Sequence, residues 1–142
     1  MKTFIKIIVI LLLLFNGIGA FYGGLSLITD PTGGKLQLPL SYLEHTPFRN
    51  YLVPGIVLLC VNGVFSFFTL STIILKNKSA FLYVIAQGLL LSGWIIVQII
   101  LLQMFYAPLH GTFLAIGILL TICGLVIKTN KINTSDLISL KL

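Results

Sequence analysis

Four stretches of this chain, about Ile7–Ile28, Tyr51–Leu75, Ala80–Leu102 and Ala107–Ile127, contain no Asp, Glu, Lys or Arg at all. Charged residues make up 8% of the 142 positions, where a water-soluble domain carries roughly 25%. Acidic groups are scarcest, at three: Asp30, Glu44 and Asp136. A surface so poor in charge cannot face water. The missing intramembrane charge also argues against ion-driven transport, which places a titratable group within the bilayer.

Other shortages exclude further chemistry. The two cysteines, Cys60 and Cys123, form no C-x-x-C pair. In a bundle their depths differ by roughly 10 Å at 1.5 Å per residue, too far for a disulfide. The membrane thiol oxidoreductases built on four helices need such pairs, so that chemistry is lost. Only two histidines occur, and His45 lies outside the apolar runs, leaving His110 without a second imidazole to grip a haem. Zinc needs three or four ligands, and Asp30, Glu44, His45 and His110 are too scattered to supply them. Glu44 and His45, as sequence neighbours, point different ways on a helix and do not make an acid–base pair. No catalytic residue, metal site or cofactor is expected.

What is present is apolar length. Mean hydropathy is +1.11 and 58% of residues are hydrophobic. Each of the four runs holds roughly 21–25 residues, and about 20 cross a hydrocarbon core roughly 30 Å thick. The expectation is one all-α transmembrane domain over residues 1–142, an antiparallel four-helix bundle with a long structured outer loop, 29–50, and a tail, 128–142. Of the nine basic residues, Lys2, Lys6, Lys76, Lys78, Lys128, Lys131 and Lys141 fall on one side of such a bundle, and Lys35 and Arg49 on the other. The positive-inside rule then puts both termini in the cytoplasm. These bases flank apolar runs and form no stripe, so the net charge of +6 reports orientation and not nucleic-acid binding. MKTFIKIIVILLLLFNGIGA also has the form of a signal peptide ending at Ala20. The apolar run continuing through FYGGLSLI favours a retained helix.

The connections carry their own signals. LKNKS is a tight turn that makes spans two and three a hairpin. Asp30-Pro31 followed by Gly33-Gly34 reads as another turn, and Leu38, Leu40, Tyr42 and Leu43 as a short piece at the lipid surface. Thr46-Pro47 has the form of a helix start, threonine capping and proline in the first turn. Pro54-Gly55 is expected to bend the second span, and the polar tail to fray.

Within lipid, helices associate through close packing and interhelical hydrogen bonds, so small and polar residues mark contact faces. At 100° per residue, Asn16, Gly19, Ala20 and Gly23 share an arc of about 100° on the first span, with Gly24 forming a small-xxx-small pair with Ala20. Gly55, Asn62, Ser66 and Thr69 share a stripe on the second, and Gln87, Trp94, Gln98 and Phe105 on the third, flanked by Gly88 and Ser92. His110, Gly117, Thr121 and Gly124 align on the fourth. LLLFNGIGAF and LLCVNGVFSF echo one another and make Asn16 and Asn62 candidate equivalents, although antiparallel spans need not bring them together. Asn16, Asn62, Gln87, Trp94, Gln98 and His110 are the candidate ligand-binding set. Their plainer reading is interhelical hydrogen bonding, with Gly19, Gly23, Gly24, Gly55, Ser66, Gly88, Gly117 and Thr121 as packing residues.

The segment GGLSLITDPTGGKLQLPLSYLEHTPFRNYLVPG resembles a recurring signature of small four-span bacterial membrane proteins with no assigned chemistry. In these, G-G, D-P-x-G, a leucine-rich piece and a P-F…P-G run join the first two spans. More widely, the chain is similar in size and topology to DoxX-like four-helix proteins. The resemblance implies a bacterial inner-membrane location and transfers no catalytic residue. The quinone-dependent oxidation occasionally linked to that group is an analogy. By contrast, the small multidrug exporters rely on a first-span glutamate, and Asn16 in the comparable place does not titrate. The expected function is a noncatalytic accessory or scaffold, partnering another membrane protein or a second copy. The alternatives are a binder or enzyme subunit for a lipid-like or quinone-like ligand, and an uncoupled channel.

Overall fold

A computed structural model of the chain describes residues 3–139, with side chains to 132. Lys2 and Lys141, used above to orient the bundle, lie outside the described residues. Four helices are long and apolar enough to cross a membrane: α1 (Thr3–Thr29), α2 (Leu52–Ile74), α3 (Ala80–Leu102) and α4 (Ala107–Ile132). The physical cause is that hydrocarbon offers no partner to backbone N–H and C=O, so an apolar run must close its own ladder. No strand occurs among the described residues. Only about a third of each span is buried against the rest of the protein. The perimeter instead carries large apolar side chains such as Phe15, Ile18, Leu89 and Ile100, a surface that belongs in lipid. The chain is a multi-pass membrane protein.

The helices pack in a ring following chain order, each antiparallel to the next. On the α1–α2 face a Cβ placed on Gly24 would sit 2.7 Å from Leu59 Cβ, one on Gly55 2.7 Å from Leu27 Cβ, and one on Gly17 3.2 Å from Ser66 Cβ. α3 and α4 approach more closely still. A Cβ on Gly88 would meet Gly117 O at 2.6 Å, and one on Gly117 would meet Gly88 O at 2.9 Å, so backbone lies against backbone. Phe15 stacks on Phe113 at 5.7 Å and closes α1 onto α4. Between them sits a core of Val9, Leu13, Val84, Leu91, Ile116 and Leu120.

Several boundaries differ from the sequence expectation. α1 is already helical at Thr3, and α4 continues past residue 127 to Ser139. The tail begins ordered because Lys131 Nζ donates to Lys78 O at 2.8 Å and lies 5.3 Å from the centre of the Phe81 ring, a cation–π contact. Thr46-Pro47 does not start α2. The Thr46 hydroxyl donates to Leu43 O at 2.9 Å and accepts from Phe48 N–H at 3.2 Å, closing a local turn. The helix opens at Leu52, whose N–H is capped by Asn50 Oδ1 at 3.1 Å. Beyond Pro54-Gly55, residues Leu58–Val64 run as π-helix, with Phe65 N–H reaching back to Cys60 O.

The 30–51 connection folds over one end of the bundle. Asp30 O accepts Gly33 N–H at 3.1 Å, while its carboxylate takes Thr32 Oγ1–H at 2.6 Å and Lys35 N–H at 2.9 Å. Those bonds, the side-chain one from Thr32 foremost, hold the Asp30 carboxyl below its ordinary pKa. Gly33 sits at φ +81°, where any Cβ would run into Leu38 O and Tyr51. Tyr51 anchors the far side: its N–H donates to Pro31 O at 2.9 Å and its hydroxyl to Pro39 O at 2.8 Å. Burial, with Tyr42 nearby, pushes the Tyr51 phenol above its usual pKa. Leu43 therefore packs inward with Leu27 and Tyr51 as a second small core, while Leu40 and Tyr42 stay exposed.

Candidate functional site

The six candidate ligand residues divide into two groups. Asn16, Asn62 and Gln87 meet near the midpoints of α1, α2 and α3, each at most 1% exposed. Asn16 Nδ2 donates to Ser66 Oγ at 2.8 Å and to Asn62 O at 3.3 Å. Gln87 Nε2 donates to Asn62 Oδ1 at 3.3 Å and to Val61 O at 3.5 Å. All three carbonyl or amide acceptors thus belong to Val61 and Asn62 in the π-helical stretch of α2, where altered backbone pairing leaves carbonyls turned toward neighbours. Asn16 Oδ1, Asn62 Nδ2 and Gln87 Oε1 remain buried without a partner among the described residues. This is an interhelical knot of buried amides, and none of the three borders the cavity under the 30–51 connection.

Trp94, Gln98 and His110 gather elsewhere. They border a cavity of about 360 Å³ under the 30–51 connection, walled by α2, α3 and the start of α4. Leu38, Leu43 and Tyr51 form its roof, and Pro54, Val57 and Leu58 its α2 wall. No Asp, Glu, Lys or Arg lines it. α2 and α3 are joined by a short turn at the opposite end of the bundle, so they part toward this end and the connection covers the gap.

His110 is 3% exposed and fixed by its own helix start. Its backbone N–H donates to Tyr106 O at 2.9 Å, and its Nδ1 accepts Tyr106 N–H at 2.9 Å. The ring supplies the acceptor that a residue just before a helix lacks. Because an amide N–H can only donate, Nδ1 carries no proton, and the neutral imidazole holds its hydrogen on Nε2. Trp94 Nε1–H is buried and has no partner among the described residues. Phe105, placed on the Trp94 stripe from the sequence, is exposed in the α3–α4 turn and lies beside the His110 ring at 5.9 Å.

No family model, curated protein or solved structure matches the chain.

Among the packing residues, Gly24, Gly55, Ser66, Gly88, Gly117 and Thr121 stand at helix contacts. Gly23 is half-buried against Leu58, and Gly19 is exposed, with Phe113 3.6 Å from where its Cβ would be. Gly17 and Gly63, absent from the expected set, are buried on the α1–α2 face. The roof residues were also missed as site residues. Their signal was the leucine and tyrosine content of a loop that would otherwise be polar.

Proposed function

We propose that this is a noncatalytic ligand-binding protein of the bacterial inner membrane, holding one small lipid-like molecule in the cavity beneath the 30–51 connection. The observation that carries the reading is that half-open, charge-free, aromatic-lined volume with a few polar groups on its walls. Small-molecule sites typically occupy roughly 300–1,000 Å³ and have this composition. With most basic residues at the opposite end, the positive-inside rule sets both termini in the cytoplasm and the cavity toward the outer face.

The scaffold reading drew on the small-residue faces together with the absence of titratable groups. Gly17, Gly24, Gly55, Gly63, Gly88, Gly117 and Gly124 are met by other helices of the same chain, so these glycines are not free for a partner. A channel is likewise disfavoured, because Leu13, Asn16, Asn62, Gln87, Leu91 and Leu120 fill the bundle at mid-depth.

Trp94 is the chain's one tryptophan and borders the cavity, so its fluorescence reports occupancy. In maltoside micelles, 1-bromododecane is expected to quench it saturably, and Val57→Phe, which fills the α2 wall, to weaken that quenching severalfold. Linear quenching, equal to that of a tryptophan ester dissolved in the same micelles, would sink the proposal.

A further inference from the structure

We propose that the cavity takes a single-chain amphiphile tail first, its chain running down to Trp94 and its polar head staying at a mouth framed by Gln37, Tyr42 and Tyr106. This rests on the binding reading above and adds the class of molecule and the way round in which it sits.

A lining residue that is also exposed marks where the cavity reaches the surface. Gln37 and Tyr42 on the 30–51 connection, Val97 on α3, and Tyr106 and Leu109 around the start of α4 meet both conditions. Tyr42 is 37% and Tyr106 57% exposed, against 5% for Leu43 in the roof. The rim is therefore mixed, with apolar Val97 and Leu109 beside the polar ends of Gln37, Tyr42 and Tyr106. Tyrosine favours the level where hydrocarbon gives way to headgroups, since its ring prefers oil and its hydroxyl a wet layer. Neither tyrosine hydroxyl, nor the Gln37 amide, has a hydrogen-bond partner among the described residues. Each can both donate and accept, as can the head of an uncharged amphiphile.

The floor has the opposite character. Trp94 lies eight residues inside the end of α3 at Leu102, roughly 12 Å at 1.5 Å per residue. It turns ring carbon to the space, because its Nε1 lies beneath the surface. Leu58 flanks it from α2 and is apolar throughout. Of the remaining polar side chains, Gln98 stands four residues from the end of α3, and His110 three residues past Ala107 at the start of α4. The Thr46 hydroxyl is engaged between Leu43 O and Phe48 N–H, and that of Tyr51 with Pro39 O. Polarity thus rises from floor to mouth. A polar head driven to the floor would give up water for hydrocarbon walls, which is unfavourable without a new hydrogen bond. A chain there meets its like, while the head keeps both water and the three free groups of the rim.

The test uses the whole protein in maltoside micelles with two isomers, 12-bromo-1-dodecanol and 2-bromo-1-dodecanol. They share head and chain and differ in where the heavy atom sits. Bromine quenches an indole on near contact, so Trp94, the chain's one tryptophan, reports which end of the molecule lies beside it. Both isomers are expected to quench saturably, the 12-bromo isomer severalfold more deeply at saturation. Joint substitution of the two exposed tyrosines, Tyr42→Phe with Tyr106→Phe, should raise the half-saturating concentration of 12-bromo-1-dodecanol about fivefold more than that of headless 1-bromododecane. The isomer comparison needs only the wild-type chain. Equal quenching by the two isomers, or deeper quenching by the 2-bromo isomer, would overturn the orientation and leave the binding reading standing. Equal shifts for alcohol and bromoalkane in the double variant would overturn the seating of the head at the mouth. If neither isomer quenches saturably, both readings fall together.

Discussion

Asn16 and Gln87 look alike in the sequence, two amides within apolar runs, yet the structure gives them unequal weight. Asn16 makes a 2.8 Å bond to Ser66, whereas both Gln87 bonds are 3.3–3.5 Å long; the side-chain oxygen of each lacks a partner among the described residues. Interhelical hydrogen bonds in membranes average about 0.6 kcal/mol and reach about 1.7. Asn16→Leu is therefore expected to lower stability by about 1 kcal/mol in a reversible micelle unfolding assay, with Gln87→Leu within about 0.5 kcal/mol of wild type. Equal losses would refute the ranking. Asp30 yields a pH prediction. Its carboxyl is held below the ordinary 3.8 chiefly by Thr32 and then by Lys35 N–H. A depressed acid stabilises the turn above its unfolded pKa, and that contribution disappears as pH falls through the lower, folded value. The Lys35 amide resonance should titrate with a midpoint under 3.8 and lose that transition in Asp30→Asn.

At the scale of helices, the glycines of α3 make opposite predictions. A Cβ on Gly88 would lie 2.6 Å from both Gly117 O and Thr121 N, backbone atoms of α4 that cannot turn aside, while one on Gly93 meets nothing within 4 Å. Gly88→Ala should cost about 1–3 kcal/mol through overpacking. Gly93→Ala should be neutral or stabilising by up to about 1 kcal/mol through helix propensity. Thermal melts of the two variants side by side check this. The α3–α4 face was legible beforehand because Gly88, Ser92, Gly117 and Thr121 recur at spacings that bring them to one side of each helix. The α1 face was only half legible. GIGAFYGG spreads its glycines over about 160° on both sides of Asn16, so an arc centred there admits either flank. The partner decides, and Ser66 and Leu59 choose Gly17 and Gly24 over Gly19. Helix ends were least legible outside the apolar runs, where α1 is already helical at Thr3 and α4 runs on to Ser139.

For the whole molecule, four apolar runs and the near absence of charge were enough to give a multi-pass bundle, since hydrocarbon leaves the backbone few alternatives. The cavity was not readable, because it exists only once the 30–51 connection folds back through bonds from Tyr51 to Pro31 and Pro39, contacts distant in sequence. Reporter fusions at the two ends are expected to be active only in the cytoplasm, and one inserted after Arg49 only outside. An external terminus would invert the bundle and the side on which its cavity opens. The π-helical turn of α2 has a consequence for how the two polar centres are set against each other. That turn accommodates one more residue than an α-helix would between the amide knot and the cavity wall. Deleting a single residue from Leu58–Val61 would allow unbroken α-helix and leave Asn62 where it is. The stretch Leu52–Val57 would keep its bearing, with Pro54 and Val57 still on the pocket, whereas straightening the turn with all seven residues in place would swivel that stretch by about 100° and bring lipid-facing side chains round in their stead.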